Sequence, residues 1–149
     1  MRYRFHVRRC PHLKRILVSI WEDTPSSPLV NRSTLRYSNY LLHSHLRSPR
    51  LLYRCLQGKG EALLRLGRFE EAKYCFLRQL KINRREPYAY LGLAMTYYEM
   101  GDIETADVYL KQALHSESYD FMYMTNYCLE FREIGWDTGA EEILELLCK

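Results

Sequence analysis

Large apolar residues recur along residues 53–149 at the three- and four-residue spacing of one helical face. Three stretches repeat one order of side-chain size (large, large, small, large), with Lys59 as the one departure: Leu56-Lys59-Gly60-Leu63, Tyr90-Leu93-Ala94-Tyr97 and Met124-Tyr127-Cys128-Phe131. Since about 3.6 residues make one helical turn, each stretch is predicted to be a helix with an apolar face. The small residue marks the point where a second helix approaches closely.

A period of 34 residues governs the same region. Three glycines have this spacing, and so do three alanines and three large apolar residues that follow them: Gly67, Gly101 and Gly135; Ala72, Ala106 and Ala140; Phe76, Leu110 and Leu144. Glycine adopts positive φ at low cost, so each glycine is predicted to end a first helix. Each helix pair leaves an apolar face that only the next pair can cover, so the units are expected to stack.

This pattern resembles the tetratricopeptide repeat, W-x2-LG-x2-Y…A-x3-F…P. The resemblance covers residues 53–86, 87–120 and 121–149. It implies an all-α fold, a short right-handed α-solenoid of helix-turn-helix units. The family's proline near the end of each unit is missing, because Arg84 and Ser118 stand there.

Residues 1–52 form a separate, basic and irregular N-terminal segment. Apolar residues on one face after Pro11 predict a helix over 11–22. A degenerate half-repeat is predicted over 34–47, capped by Ser33 or Thr34 and closed by Pro49. Its supposed first helix is broken by prolines, so this earlier unit is incomplete.

Charge is distributed unevenly along the chain, although the net charge is +4. Residues 1–86 contain nineteen Lys or Arg and six acidic residues, whereas residues 87–149 contain three and twelve. These charges either lie on solvated helix faces or steer a partner of opposite charge.

Six of the basic residues precede the first acid, within residues 1–21. Such a start is compatible with a mitochondrial presequence, with an arm that binds nucleic acid or an anionic surface, or with a tail that has no role. The five widely spaced cysteines, without a CxxC pair, suit a reducing compartment, and a cytoplasmic location is expected.

The sequence contains no pattern typical of a catalytic, cofactor or metal site, and a non-enzymatic protein is expected. Gly58-Lys59-Gly60 lacks the remainder of a phosphate loop and lies inside a repeat helix. The histidines and Cys10 have no zinc-ligand spacing. No apolar run approaches the ~20 residues that a membrane-spanning helix needs.

The resemblance implies that the first helices line a concave groove through unit positions 2, 5, 9, 12 and 13. The groove residues predicted in this way are Arg54, Leu64, Arg65, Tyr88, Leu91, Met95, Tyr98, Glu99, Met122, Leu129 and Arg132. A solvent-facing surface does not need so many apolar side chains, so they indicate a binding surface for an apolar segment of another protein, unless a terminal helix of the chain covers them. The predicted function is a protein–protein interaction scaffold or adaptor, and the alternative is binding of nucleic acid or an anionic surface by the basic N-terminal segment.

The last predicted helix, about 137–148, is apolar and has no capping helix after it in this sequence. Repeat arrays normally end in a polar cap. Self-association through Ile143, Leu146 and Leu147 is therefore a second prediction.

Overall fold

The structure is a computed structural model that describes residues 28–43 and 48–149, and these residues form seven α-helices. The helices are α1 (Pro28–His43), α2 (Pro49–Arg65), α3 (Phe69–Ile82), α4 (Tyr88–Glu99), α5 (Ile103–Leu114), α6 (Phe121–Glu133) and α7 (Asp137–Leu147). Three antiparallel pairs follow one another, α2 with α3, α4 with α5, and α6 with α7. The all-α solenoid predicted from the sequence is confirmed.

The three predicted glycines end the first helix of each pair. Gly67, Gly101 and Gly135 have φ values of 75°, 87° and 86°. The same two hydrogen bonds close each helix; at the first, the Gly67 N–H donates to Leu64 O at 3.0 Å and the next N–H, of Arg68, donates to Leu63 O at 2.9 Å. This arrangement satisfies carbonyls that the helix end leaves without partners, so the prediction of a glycine turn is confirmed.

Phe76 of α3 fills the contact between the first two pairs. Its ring is fully buried and lies between α2 and α4, at the two glycines Gly60 and Gly92. A Cβ built at Gly60 would lie 2.7 Å from the ring, and one at Gly92 would lie 2.4 Å from it. The helices therefore approach the ring with bare backbone, as the small residue of the repeat pattern predicts for Gly60.

The third pair is attached differently from the second. Whereas α3 packs against α4, the equivalent helices α5 and α6 do not pack against each other. Instead α6 contacts α4, and α7 contacts α5. Trp136, at the turn between α6 and α7, anchors the pair by stacking on Tyr98 of α4 and on Phe131, with ring centroids 4.7 and 4.6 Å apart.

Helix α1 packs against α2 where the half-repeat is predicted, but it begins earlier. The expected start was Ser33 or Thr34, whereas the helix starts at Pro28 and ends at His43. Proline is tolerated in the first turn, because the N–H groups there have no helical acceptor, so Pro28 starts the helix instead of breaking it. The helix predicted over 11–22 lies outside the described residues.

Within residues 28–43 and 48–149, no helix combines the length and the apolar character needed to cross a bilayer.

Candidate functional site

The predicted groove residues divide into a buried and a more accessible set. The buried members are Leu64, Tyr88, Leu91, Met95 and Leu129. The exposed or half-buried members are Arg54, Arg65, Tyr98, Glu99, Met122 and Arg132. Only part of the apolar row is therefore open to solvent, and the role of these residues in binding stays a prediction.

Burial is deepest on α4, the central first helix. Leu91 has no exposed surface and Met95 is 3% exposed. Helix α4 lies between α2 and α6, both of which contact it, so little of its surface is left for solvent. Tyr98 is also engaged within the chain, because it stacks on Trp136 and donates from its hydroxyl to Gly135 O at 3.3 Å.

Two side-chain bridges join α2 to α6 across α4. The Arg65 guanidinium donates to the Glu130 carboxylate in an ion pair, and the Tyr127 hydroxyl donates to Glu61 Oε1 at 2.8 Å. Glu61 lies 34 residues before Met95, so it occupies the same position on α2 that Met95 occupies on α4. The bridges therefore connect the flanking helices on the face that carries the buried apolar row.

Burial and charge shift the pKa values in these bridges. Burial raises the pKa of Glu130 to about 7; Arg65 opposes the rise and Glu61 adds to it. Burial also raises the pKa of the Tyr127 hydroxyl, and Glu61 adds to that rise. Burial alone would lower the pKa of Arg65, but Glu130 and Glu61 raise it overall. Ionisation of the Glu130 carboxyl group in the folded state therefore costs free energy.

A cavity of about 670 Å³ remains open where the three first helices begin. Arg54, Tyr88 and Tyr123 line it, one from each of α2, α4 and α6. The rings of Tyr88 and Tyr123 lie 4.9 Å apart, and the Tyr88 hydroxyl accepts a 2.6 Å hydrogen bond from the Asp120 N–H. Met122, next to Tyr123, is 45% exposed. Accessible aromatic and cationic groups thus line one cavity at this end of the row.

The C-terminal helix is only partly available for self-association. Ile143 is fully buried in the core, so the prediction that it contributes to an exposed surface is wrong. It belongs to the hydrophobic core that the helix pairs share. Leu146 and Leu147 are half-buried, and their role in self-association stays a prediction.

Sequence reasoning did not find Glu130, and it assigned Tyr127 to the core as bulk. The bridge from Tyr127 spans 66 residues and that from Arg65 spans 65. No local spacing signals such a contact. The composition of α4 does indicate that this helix is buried. Glu99 is its only charged residue, and a helix that is apolar on all sides is normally buried.

The raised pKa of Glu130 predicts that stability falls as pH rises from about 5 to 7. In this window the folded state retains a proton that the unfolded state has lost, so the free energy of unfolding decreases with pH, by about 1 to 3 kcal/mol in total. Urea unfolding at several pH values measures the slope. Glu130→Gln is expected to reduce this slope clearly, although Glu99 and Glu142, whose pKa values are also raised by burial, keep part of it. Glu141→Gln, at an exposed position of α7, is expected to leave the slope unchanged. Equal slopes in the wild type and in Glu130→Gln would contradict the prediction.

The basic residues of the alternative function, within 1–21, lie outside the described part of the chain. Nothing in the described helices tests nucleic-acid or surface binding by them.

Known proteins share the repeats of this chain. The tetratricopeptide repeat family matches residues 53–86 and 87–117. A stretch of 58 residues, 39% of the chain, is 36% identical to the TPR repeat-containing protein MJ1428 of Methanocaldococcus jannaschii. The match covers 10% of that relative's length, so the chain corresponds to a small part of it. Two matched repeats, each folded as a helix pair with a glycine turn, show that residues 53–117 are tetratricopeptide repeats.

Proposed function

We propose that this protein is an interaction scaffold that holds a peptide segment of a partner on the side formed by α2, α4 and α6. Tetratricopeptide repeats generally support protein–protein interaction, and the proposal adds the place of contact. The observation that carries it is the cavity at the open end of the apolar row, which Arg54 and Tyr123 line. Met122, next to Tyr123 in the sequence, is also exposed.

The chemistry of this region suits a peptide with an apolar anchor. A methionine adapts to irregular apolar surfaces, and aromatic side chains supply large contact areas at low entropic cost. Arg54 adds a charge-assisted donor that orients a peptide carbonyl or carboxylate. The contacts are spread over three helices, so a bound segment would run across the repeats.

The test uses peptides selected from a phage-displayed random library on the full-length protein. The double variant Arg54→Ala with Met122→Ala is expected to bind a selected peptide about tenfold more weakly or worse, since it removes both accessible anchors. Calorimetric titration measures the affinities. Met95 and Tyr98 are unsuitable for this test, because their replacement would disturb the core.

The matched control is Val108→Ala with Lys111→Ala, which removes one apolar and one cationic side chain from α5. Val108 is 54% exposed and Lys111 is exposed, so folding is expected to tolerate the change. A peptide that loses affinity for this control, but not for the Arg54 and Met122 variant, would refute the proposed site.

A further inference from the structure

Side chains close the other end of the face formed by α2, α4 and α6, around Arg65 and Glu130. Glu130 and Tyr127 of α6 reach back across α4 to side chains of α2, although the two helices do not pack against each other directly. Side chains alone therefore close this end. On α4, between the bridged helices, Leu91 and Met95 are buried, and these are apolar side chains that resemblance to the family assigns to the groove.

We infer that Glu130 occupies the place on the concave face that a partner would take. The partner binds by placing an acidic side chain on Arg65 and displacing Glu130. The inference rests on the proposed function. It adds the chemical class of the partner segment and the contact that closes the site until the partner binds. The matching segment carries an Asp or Glu beside an apolar residue.

Charge on α2 favours an acidic partner. Arg54 and Arg65 lie on α2 about 16 Å apart along its axis. Among the described residues, Arg54 makes no ion pair, and Arg65 makes its ion pair with Glu130. A segment that ran along α2 would meet a cation at each end, with the Glu61 carboxylate, which accepts from Tyr127, between them. The carboxylate of Glu130 already shows the interaction that such a segment would make.

The attachment of the third pair makes the closure displaceable. Because α5 and α6 do not pack against each other, α6 is held by α4, by its partner α7 and by the two bridges. Glu130 is 21% exposed at its side chain, and Arg65 is 39% exposed, so the ion pair sits at the edge of solvent. An incoming carboxylate that makes the same contact keeps Arg65 paired, and the displaced Glu130 carboxylate must then be hydrated by solvent, so that no buried charge is left without a partner.

Glu130→Lys tests the closure without a ligand, because it places two cations together. Amide hydrogen exchange on the full chain is expected to accelerate about tenfold in α6, while α2 to α5 keep their protection. Glu141→Lys makes the same charge change on an exposed surface of α7 and is expected to leave α6 unchanged. The swapped double variant, Arg65→Glu with Glu130→Lys, restores an ion pair and is expected to return α6 to near wild-type exchange.

Peptide selection tests the occupant. A phage-displayed random library is selected on Glu130→Lys, on Glu141→Lys and on the swapped variant. Peptides from Glu130→Lys are expected to contain an acidic residue next to an apolar one and to bind the wild type about tenfold more weakly. Glu141→Lys is expected to give no such enrichment. On the swapped variant the preferred charge is expected to be basic, since residue 65 is then acidic.

The outcomes separate this inference from the proposed function. Unchanged exchange in α6 of Glu130→Lys would overturn the inference, and so would peptides without an acidic preference or a swapped variant that still selects acids. The proposed function would survive each of these results as long as the Arg54 and Met122 variant loses peptide affinity. Full affinity in that variant would overturn the proposed site, whatever the exchange data show.

Discussion

Gly92→Ala is expected to lower the free energy of unfolding by about 3 kcal/mol or more. A Cβ at this position would lie 2.4 Å from the Phe76 ring, well inside the distance at which carbon atoms repel. The ring has little room to retreat, because it also lies close to the backbone of Gly60, where an added Cβ would be 2.7 Å from it. Either the ring leaves its rotamer or α2 and α4 separate, and both responses weaken the contact between the first two repeats.

The matched control is Gly58→Ala, two residues before Gly60 on α2. A Cβ there would meet Ser38 Oγ at 3.5 Å, which is ordinary van der Waals contact. Since alanine favours the helix over glycine, this change is expected to be neutral or to stabilise by up to about 1 kcal/mol. Urea unfolding followed by circular dichroism measures both variants.

A second mutation locates the strain at the ring. Phe76→Leu alone leaves a cavity and destabilises, but in the Gly92→Ala background it also removes the clash. The combined loss is therefore expected to be smaller than the sum of the two single losses. Additive losses would show that α2 and α4 do not pack against Phe76 as described. The same conclusion would follow if Gly92→Ala lay within about 0.5 kcal/mol of the wild type, the size of an ordinary surface effect.

Local features of this fold could be predicted from the sequence, and contacts between distant repeats could not. The turns at Gly67, Gly101 and Gly135 follow from spacing, since a helix end and its positive φ depend on a few neighbouring residues. The start of α1 at Pro28 was missed for a local reason. Proline stops a helix in its interior but begins one at its first turn, and the pattern around Pro28 does not distinguish the two.

The exposure of the predicted groove residues could not be predicted from the sequence. Arg54 and Met122 are accessible, whereas Leu91 and Met95 are buried. Their burial depends on how close α6 comes to α2, and that distance is set by the way the third pair packs on the second. A repeat pattern treats all units as equivalent, so it cannot show that α5 and α6 fail to pack while α3 and α4 do. The difference arises from Trp136 and the bridges, which have no counterparts in the other units.

Trp136→Ala is expected to cost about 3 to 5 kcal/mol and to act mainly on the third helix pair. The side chain is 2% exposed and its ring lies against Tyr98 of α4 and Phe131 of α6. Gly139 leaves space for the ring, since a Cβ there would lie 2.7 Å from it. Truncation thus removes the aromatic contact that joins the third pair to the second, at a junction where α5 and α6 give no support.

Hydrogen exchange resolves where this loss falls. Repeat proteins gain stability from each unit and from its interface with the next, so weakening one interface frees the unit at the end of the array. We expect the amides of α6 and α7 to lose protection first, while α2 to α4 retain most of theirs. Trp136→Phe keeps an aromatic ring between Tyr98 and Phe131 and is expected to lose less than half as much stability. A uniform loss over all helices would mean that the third pair unfolds together with the rest, and that Trp136 supports one cooperative core instead of a separable junction.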